Sequence, residues 1–210
     1  MPRKILIATT NKGKAAELAA MLGTFDVDVQ WLTLADFPDV PDVPEDGRTF
    51  AENARQKALG YAEATGCWTL ADDSGLVVDA LDGAPGIHSA RFSGPAPDPA
   101  RRQLLDHRNM AKVLQLMQDV PDHRRTARFV CNICLASPSE VLAETAGTLE
   151  GRIARQEHGD HGFGYDPIFL LSDNRTVAQL PPNEKNTISH RAAAMRKMSP
   201  LIHSLLHTSS

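Results

Sequence analysis

Asp72 and Asp73 are adjacent carboxylates between an apolar run, residues 68–71, and the sequence Ser74-Gly75-Leu76-Val77-Val78. Paired acids in such a setting can hold Mg²⁺ against a phosphate, because Mg²⁺ takes oxygen ligands and keeps several waters. If residues 68–71 form a strand, the acids lie at its carboxyl end, where open α/β sheets receive their ligands. Successive strand residues face opposite ways, so the two acids should do different work, one facing a cleft and one bracing a turn. Asp-Asp before Ser-Gly is also good turn chemistry with no metal at all. The motif alone leaves both readings open.

Three further segments carry chemistry. Thr9-Thr10-Asn11-Lys12-Gly13-Lys14 follows an apolar run and precedes a helical stretch. Free amides at a helix start attract anions, and Lys14 adds a point charge. The spacing is not that of a Walker A loop, and a plain strand-to-helix turn with solvated lysines is the alternative. The segment 158–167 packs three glycines with Phe163 and Tyr165, offering close backbone approach and a stacking face for a base. His158, Asp160 and His161 read as surface polar residues, since they are closely spaced on a glycine-rich loop without a partner cluster. Ser189 can cap a last helix whose first turn carries His190 and Arg191, against the macrodipole preference for acids there. An anion beside that basic pair would make it tolerable. Together the segments are the inventory of a nucleoside triphosphate site. No G-x-S-x-G elbow or polar cysteine supplies a nucleophile, so water activated by metal and carboxylate is the economical mechanism.

The remaining chain must position these groups. Its 210 residues allow a sizeable core, and 42% hydrophobic with 23% charged residues is ordinary for a globular protein. A formal net charge of −4 argues against a general grip on nucleic acid, so any anion must be held by a local basic cluster. The apolar run near the start is too short for a signal peptide, no stretch approaches a membrane span, and three cysteines make no disulfide framework. A reduced, cytoplasmic protein is expected. Cys131 and Cys134 have C-x-x-C spacing but fall on an alternating run, 126–136. Residues three apart on a strand face opposite ways, so both are expected in the core rather than paired.

The pattern predicts strands at 4–8, 27–31, 68–71, 76–81, 126–136, 141–150 and 168–171, with residues 153–156 as a possible extension of the 141–150 strand. Helices are expected at 14–22, from Thr49 (a capping box with Glu52) to about 65, from Asp98-Pro99 to about 118, and from Ser189 to about 207 with a bend near Pro200. Residues 36–47 and 84–97 read as loops, the second a candidate lid. Strands 126–136 and 141–150 should pair antiparallel through Ser137-Pro138-Ser139. Helices and strands alternate early and strands cluster late. The expected fold is therefore α/β, a central mixed sheet flanked by helices, in two lobes with a cleft.

The ordered set of motifs resembles the inosine/xanthosine triphosphate pyrophosphatase family, also called Ham1-like. The matching pieces are the 9–14 turn, Thr49-Phe50-Ala51-Glu52-Asn53-Ala54 with Lys57-Ala58, Ala71-Asp72-Asp73-Ser74-Gly75-Leu76, Gly83-Ala84-Pro85-Gly86-Ile87 and Ser89-Ala90-Arg91. Thr126-Ala127-Arg128-Phe129, Gly162-Phe163-Gly164-Tyr165-Asp166-Pro167-Ile168-Phe169, Glu184-Lys185-Asn186 and Ile188-Ser189-His190-Arg191 follow in family order. The resemblance covers about residues 4–200. It implies a single domain over 1–210, usually a homodimer, that hydrolyses ITP, dITP and XTP to the monophosphate and pyrophosphate with Mg²⁺.

By the same resemblance Asp73 would ligate the metal and activate water, with Asp72 supporting it and Glu45 as the second metal carboxylate. Thr9, Thr10, Asn11, Lys12, Gly13, Lys14 and Ser74 would hold the triphosphate, with Lys57 assisting. Phe163, Gly164, Tyr165, Asp166, Lys185, His190 and Arg191 would hold the nucleoside. Fixed donors such as Lys185 or Arg191 facing the purine 6-position would accept an oxygen and leave an amino group opposed. His88 and Phe92 stand where the family commonly has tyrosines, and the segment 95–109 is longer than typical. Two other readings use the same residues. A Maf-like pyrophosphatase would want a serine- and arginine-rich first turn, which is absent, and a non-catalytic nucleotide binder has no need of two costly acids.

Overall fold

The computed structural model describes residues 2–23, 28–94 and 102–208. Six strands form one sheet in the order β2-β1-β3-β4-β5-β6. They are β1 (Arg3–Ala8), β2 (Val29–Thr33), β3 (Trp68–Val78), β4 (Thr126–Ala136), β5 (Val141–Ile153) and β6 (Phe169–Leu170). β1 runs parallel to β2 and β3, whereas β5 and β6 are antiparallel, so the sheet is mixed as expected. The helices are α1 (Lys12–Leu22), α2 (Phe50–Thr65), α3 (Arg102–Leu116), α4 (Pro182–Ile188) and α5 (His190–Thr208).

The chain divides into two compact units. The first comprises residues 1–73, 131–147 and 190–210, and the second comprises 74–130 and 148–189. Strand alternation gives the first unit two cores. Ile5, Ile7, Leu70, Cys131, Ile133 and Leu135 pack with Leu18 and Leu22 of α1 and Ala194, Met195, Met198 and Ile202 of α5. Leu6, Ala8, Ala71, Cys134 and Ala136 pack with Ala54, Ala58, Tyr61 and Ala62 of α2. Cys131 and Cys134 therefore lie in different cores, as their odd spacing on a strand requires. Burial pushes both thiols up to about 12. The second unit has its own core around Leu76, Val78, Met110, Val113, Phe129 and Phe169, with the two phenylalanine rings stacked at 4.4 Å.

Several local expectations change. The acidic segment is not a turn between two strands: β3 runs unbroken through it, and the expected strand at 76–81 ends at Val78 in a short 3₁₀ turn, Asp79–Leu81. Ion pairs to both carboxylates outweigh the turn preference of Asp-Asp-Ser-Gly. Gly75 is required within this strand, since a Cβ there would collide with Ser89 Oγ and Gly86 O. α1 begins at Lys12 rather than 14, because Asn11 caps it by accepting from the Gly13 and Lys14 amides at 2.9 and 3.2 Å. α2 starts after Thr49 and stops at Gly66 as expected, although Glu52 accepts from the Arg48 amide and not from that of Thr49. β5 continues to Ile153, and the last strand is only two residues long. A separate short helix, α4, precedes α5, so Ser189 closes α4 in an extended conformation before α5 begins. Pro200 lies inside α5. Val27 and the expected Asp98-Pro99 helix start lie outside the described residues.

Candidate functional site

In the first unit, β3 sends its two acids to opposite sides. Asp72 shares the side of Leu70, facing α1 and α5, and Asp73 shares the side of Ala71, facing α2. Asp72 Oδ2 accepts from Arg191 Nε and Nη2 at 3.2 and 3.0 Å, and Lys14 Nζ lies 3.1 Å away. Arg191 Nη1 also donates to Glu17. Arg191 is 1% exposed, so its guanidinium is buried with two carboxylates and needs both hydrogen bonds and charge to remain there. The result is a linked series, Glu17–Arg191–Asp72–Lys14, joining the first turns of α1 and α5 to the strand.

Asp73 has a different environment. Asn53 Nδ2 donates to its Oδ2 at 3.0 Å, and Lys57 Nζ stands 3.7 Å from its Oδ1 and 3.0 Å from Glu45 Oε2. Asn53 and Lys57 are four apart on α2 and therefore share a face. Glu45 comes from the irregular segment before that helix and is exposed, whereas Asp73 and Lys57 are buried.

These surroundings drive the two acids apart. Burial alone would raise the Asp72 carboxyl, but Lys14, Arg191 and Lys57 hold it far below the usual carboxylate range. Burial raises the Asp73 carboxyl above its ordinary value, and Lys57, Lys14 and the Asn53 hydrogen bond reverse only part of that. For Lys57, burial favours loss of its proton, yet Asp73, Asp72 and Glu45 together hold it above the ordinary lysine value. Adjacent acids thus occupy opposite electrostatic states, a pattern associated with a division of acid–base labour.

The second unit holds its own constellation. Lys185 of α4 donates to Asp166 Oδ2 and lies over the Phe163 ring, 4.4 Å from its centroid. Asp166 Oδ2 also accepts from the Phe163 amide at 2.8 Å, fixing the loop that presents the ring. Both Asp166 and Lys185 are buried. Tyr165, expected beside the nucleoside, points its ring into the core and donates its hydroxyl to Ser89 O at 2.8 Å. Phe163, half-buried, is the aromatic face the loop leaves accessible. Gly164 donates its amide to Asp106, and Ser74 is half-buried on β3. His158, Asp160 and His161 are exposed.

Each expected residue of the first unit can be placed in the same way. Thr9 Oγ1 accepts from the Asn11 amide, Thr10 and Lys12 are exposed, and Gly13 lies in the capped first turn of α1. His190 and Arg191 do open α5, but the anions beside Arg191 are the chain's own Asp72 and Glu17. Two residues escaped the sequence reading. Glu17 lies one turn beyond Lys14 on α1, and Asn53 one turn before Lys57 on α2. A helical spacing from a lysine already chosen was the signal in both cases. The Cys131 thiol, taken only as core, lies 3.9 Å from Asp72 Oδ2.

A mixed α/β sheet thus carries, on one strand, two buried acids paired with Lys14, Arg191 and Lys57. The Ham1 family matches residues 5–201, and the chain belongs to that family. It is 47% identical over 196 residues to a dITP/XTP pyrophosphatase of Listeria monocytogenes, covering 93% of this chain and 92% of that one. It is 44% identical to a dITP/XTP pyrophosphatase of Oceanobacillus iheyensis, covering 97% and 100% respectively. Among solved structures, a HAM1 protein from Coxiella burnetii superposes with a TM-score of 0.84 at 39% identity, covering 96% of this chain and 99% of that one.

Proposed function

We propose that this chain is a nucleoside-triphosphate pyrophosphatase that cleaves ITP, dITP and XTP between the α and β phosphates. The products are the monophosphate and pyrophosphate, and the role is removal of non-standard purine nucleotides from the pool. The observation that carries the reading is the placement of Asp73 beside Glu45, Lys57 and Asn53, with Asp72 locked separately to Lys14 and Arg191. The names of the relatives support the substrate class.

The donor set also fits Mg²⁺. Among the described residues no three His, Cys, Asp or Glu side chains gather as a metal cage. Asp73 and Glu45 offer two hard carboxylates on one ammonium, and Mg²⁺ uses one or two carboxylates plus water and substrate phosphate. Bound there, the ion would neutralise phosphate charge and acidify water. Asp72 also belonged to the expected metal set, but it already faces Lys14 and Arg191, whose charges oppose a cation. Its assigned part is to support Asp73 by fixing those two cations.

The chain's own residues then have defined tasks. Asp73, whose carboxyl burial raises above its ordinary value, takes the proton from the attacking water. Asn53 holds that carboxylate in orientation through its Oδ2. Lys57 and Lys14 balance the negative charge of the triphosphate, assisted by Ser74 and the turn at residues 9–14. In the second unit the Phe163 ring gives a base its stacking face, and Lys185, held by Asp166, is a fixed donor for a purine 6-oxygen. His190 and Arg191 complete the substrate set, with Arg191 made rigid by two carboxylates. An amino group at position 6 would meet a donor with a donor, a mismatch that is costly when dry.

No helix among the described residues is long and apolar enough to cross a membrane. We read the protein as cytoplasmic and as a homodimer, the latter tested by light scattering. The activity is tested by incubating the protein with ITP, dITP, XTP, ATP and TTP plus Mg²⁺ and assaying pyrophosphate and orthophosphate separately. Pyrophosphate from the first three is expected. Orthophosphate as the primary product would overturn the reading.

A further inference from the structure

The last two turns of α5 carry a pair of groups that none of this chemistry uses. His203 and His207 are four residues apart, and both are exposed. Helical spacing sets them on one face, one turn above the other. Their Nε2 atoms approach to 3.2 Å with ring centroids 4.3 Å apart. Ile202 just before them and Leu205 and Leu206 between them turn toward the core formed with α1, so the helix end is anchored while the imidazoles look outward.

We propose that His203 and His207 form a two-nitrogen site for a divalent transition-metal ion of the Zn²⁺, Ni²⁺ or Cu²⁺ class. Two nitrogens each about 2.0–2.1 Å from a tetrahedral Zn²⁺ lie roughly 3.3 Å apart. The observed separation is close to that value, and a modest rotation of the two exposed rings would turn both nitrogens toward a shared ion. The contact between the two nitrogens is a hydrogen bond in which one Nε2 donates to the other, so binding requires that proton to move to Nδ1 before both Nε2 lone pairs can face the ion. Imidazole favours these ions over Mg²⁺, which takes oxygen ligands, so the site is chemically separate from the carboxylates around Asp73. The carbonyl end of a helix is also the negative end of its dipole, which favours a cation beside His207. Among the described residues no third such ligand joins the pair, so water completes the coordination and the ion is exchangeable. Occupancy would tie the last two turns of α5 together.

The test is calorimetric titration of untagged protein with Zn²⁺ at neutral pH in a non-coordinating buffer, with excess Mg²⁺ present. One equivalent of Zn²⁺ should bind. Loss of an outer-shell partner alone costs metal sites about 10- to 100-fold, so His203→Ala and His207→Ala should each weaken binding by at least roughly tenfold. Asp73→Asn should leave it unchanged. Both histidine positions are exposed, and circular dichroism of each variant verifies that it folds. Paramagnetic Ni²⁺ should broaden the imidazole proton resonances of these two histidines before those of any other. Unchanged affinity in either histidine variant, or loss of the site in Asp73→Asn, would overturn the proposal.

Discussion

The two sides of β3 solve opposite problems with neighbouring residues. On the α1/α5 side, Asp72 is paired with Lys14 and Arg191, and with Lys57 of α2 they hold it ionised far below its ordinary value. On the α2 side, Asp73 has one close ammonium, shared with Glu45, and burial leaves its carboxyl raised. The first arrangement strengthens the fold, and the second stores a cost that a proton or a cation can relieve. Charge that stabilises and the charge proposed to react are thus separated by one peptide unit. Strand alternation gives each acid its own direct contacts, although Lys14 and Lys57 act on both at longer range.

The largest expected effect falls on the reactive side. Asp73→Asn removes the proposed base while keeping the Asn53 contact and the side-chain shape, so turnover of ITP should fall by roughly 10²- to 10⁴-fold. Nucleotide binding, measured by calorimetry, should remain. Stability should move the other way from activity. In metal-free buffer at neutral pH, this variant should unfold at the same or higher urea concentration than the parent, because the ionised Asp73 is the form that burial penalises. With a raised folded value, the cost of Asp73 is present at neutral pH and disappears as pH falls toward 3.8. A variant that retained turnover would remove Asp73 from the mechanism.

The matching change on the other side should behave in the opposite sense. Asp72→Asn leaves Arg191 and Lys14 buried beside an uncharged amide, and loss of one member of a buried ionic group costs about 3 kcal/mol. Urea titration at neutral pH should show that loss. The pH dependence fixes the sign. Asp72 has a depressed folded value, so its contribution is complete above the ordinary value of 3.8 and fades as pH falls below it toward the folded value. The parent and Asp72→Asn curves should therefore converge in strong acid. Parallel curves down to the lowest pH would show that the contribution comes from packing rather than charge.

Lys57 is the link that distinguishes a shared cation from a local one. Replacing it with methionine preserves the buried stem and leaves Glu45 and Asp73 without the ammonium between them. The Asp73 carboxyl loses its principal lowering partner and should move further up. A fall in kcat of about 10²-fold is expected from loss of one preorganised charge. A change confined to KM would instead place Lys57 in ground-state binding of the triphosphate.

How much of this was readable from the residues depends on distance along the chain. The limits of β4, the Thr49 start and Gly66 stop of α2, and the separation of Cys131 from Cys134 all follow from local periodicity and caps. The division of labour between Asp72 and Asp73 was legible too, because alternation on a strand is a local rule. The continuity of β3 was not. Asp-Asp-Ser-Gly favours a turn by itself, and what straightens it are Lys14, Lys57 and Arg191, drawn from segments as many as 119 residues away. The partners of Arg191 were hidden for the same reason: the sequence shows a base breaking the dipole rule but not the buried Glu17 and Asp72 that compensate it. α4 escaped because its seven residues, Pro182–Ile188, are largely polar and carry no apolar period.

The smallest effect bears on the quiet side of β3 and tests how finely it is tuned. Cys131 is wholly buried, and its thiol lies 3.9 Å from the same Asp72 oxygen that Arg191 and Lys14 share. Burial, reinforced by Asp72, lifts that thiol to about 12, so it stays protonated and able to donate. Cys131→Ser keeps a donor of similar size, and Cys131→Val keeps the volume and removes the donor. If the S–H contributes to holding Asp72, valine should cost under about 1 kcal/mol, the scale of one net hydrogen bond, and serine should recover part of it. Because the oxygen already has two strong cationic partners, activity in both variants should stay near that of the parent. A loss of turnover in Cys131→Val comparable to that of Lys57→Met would show that Asp72 must be positioned as closely as Asp73, and the contrast between the two sides of the strand would then be one of charge and not of precision.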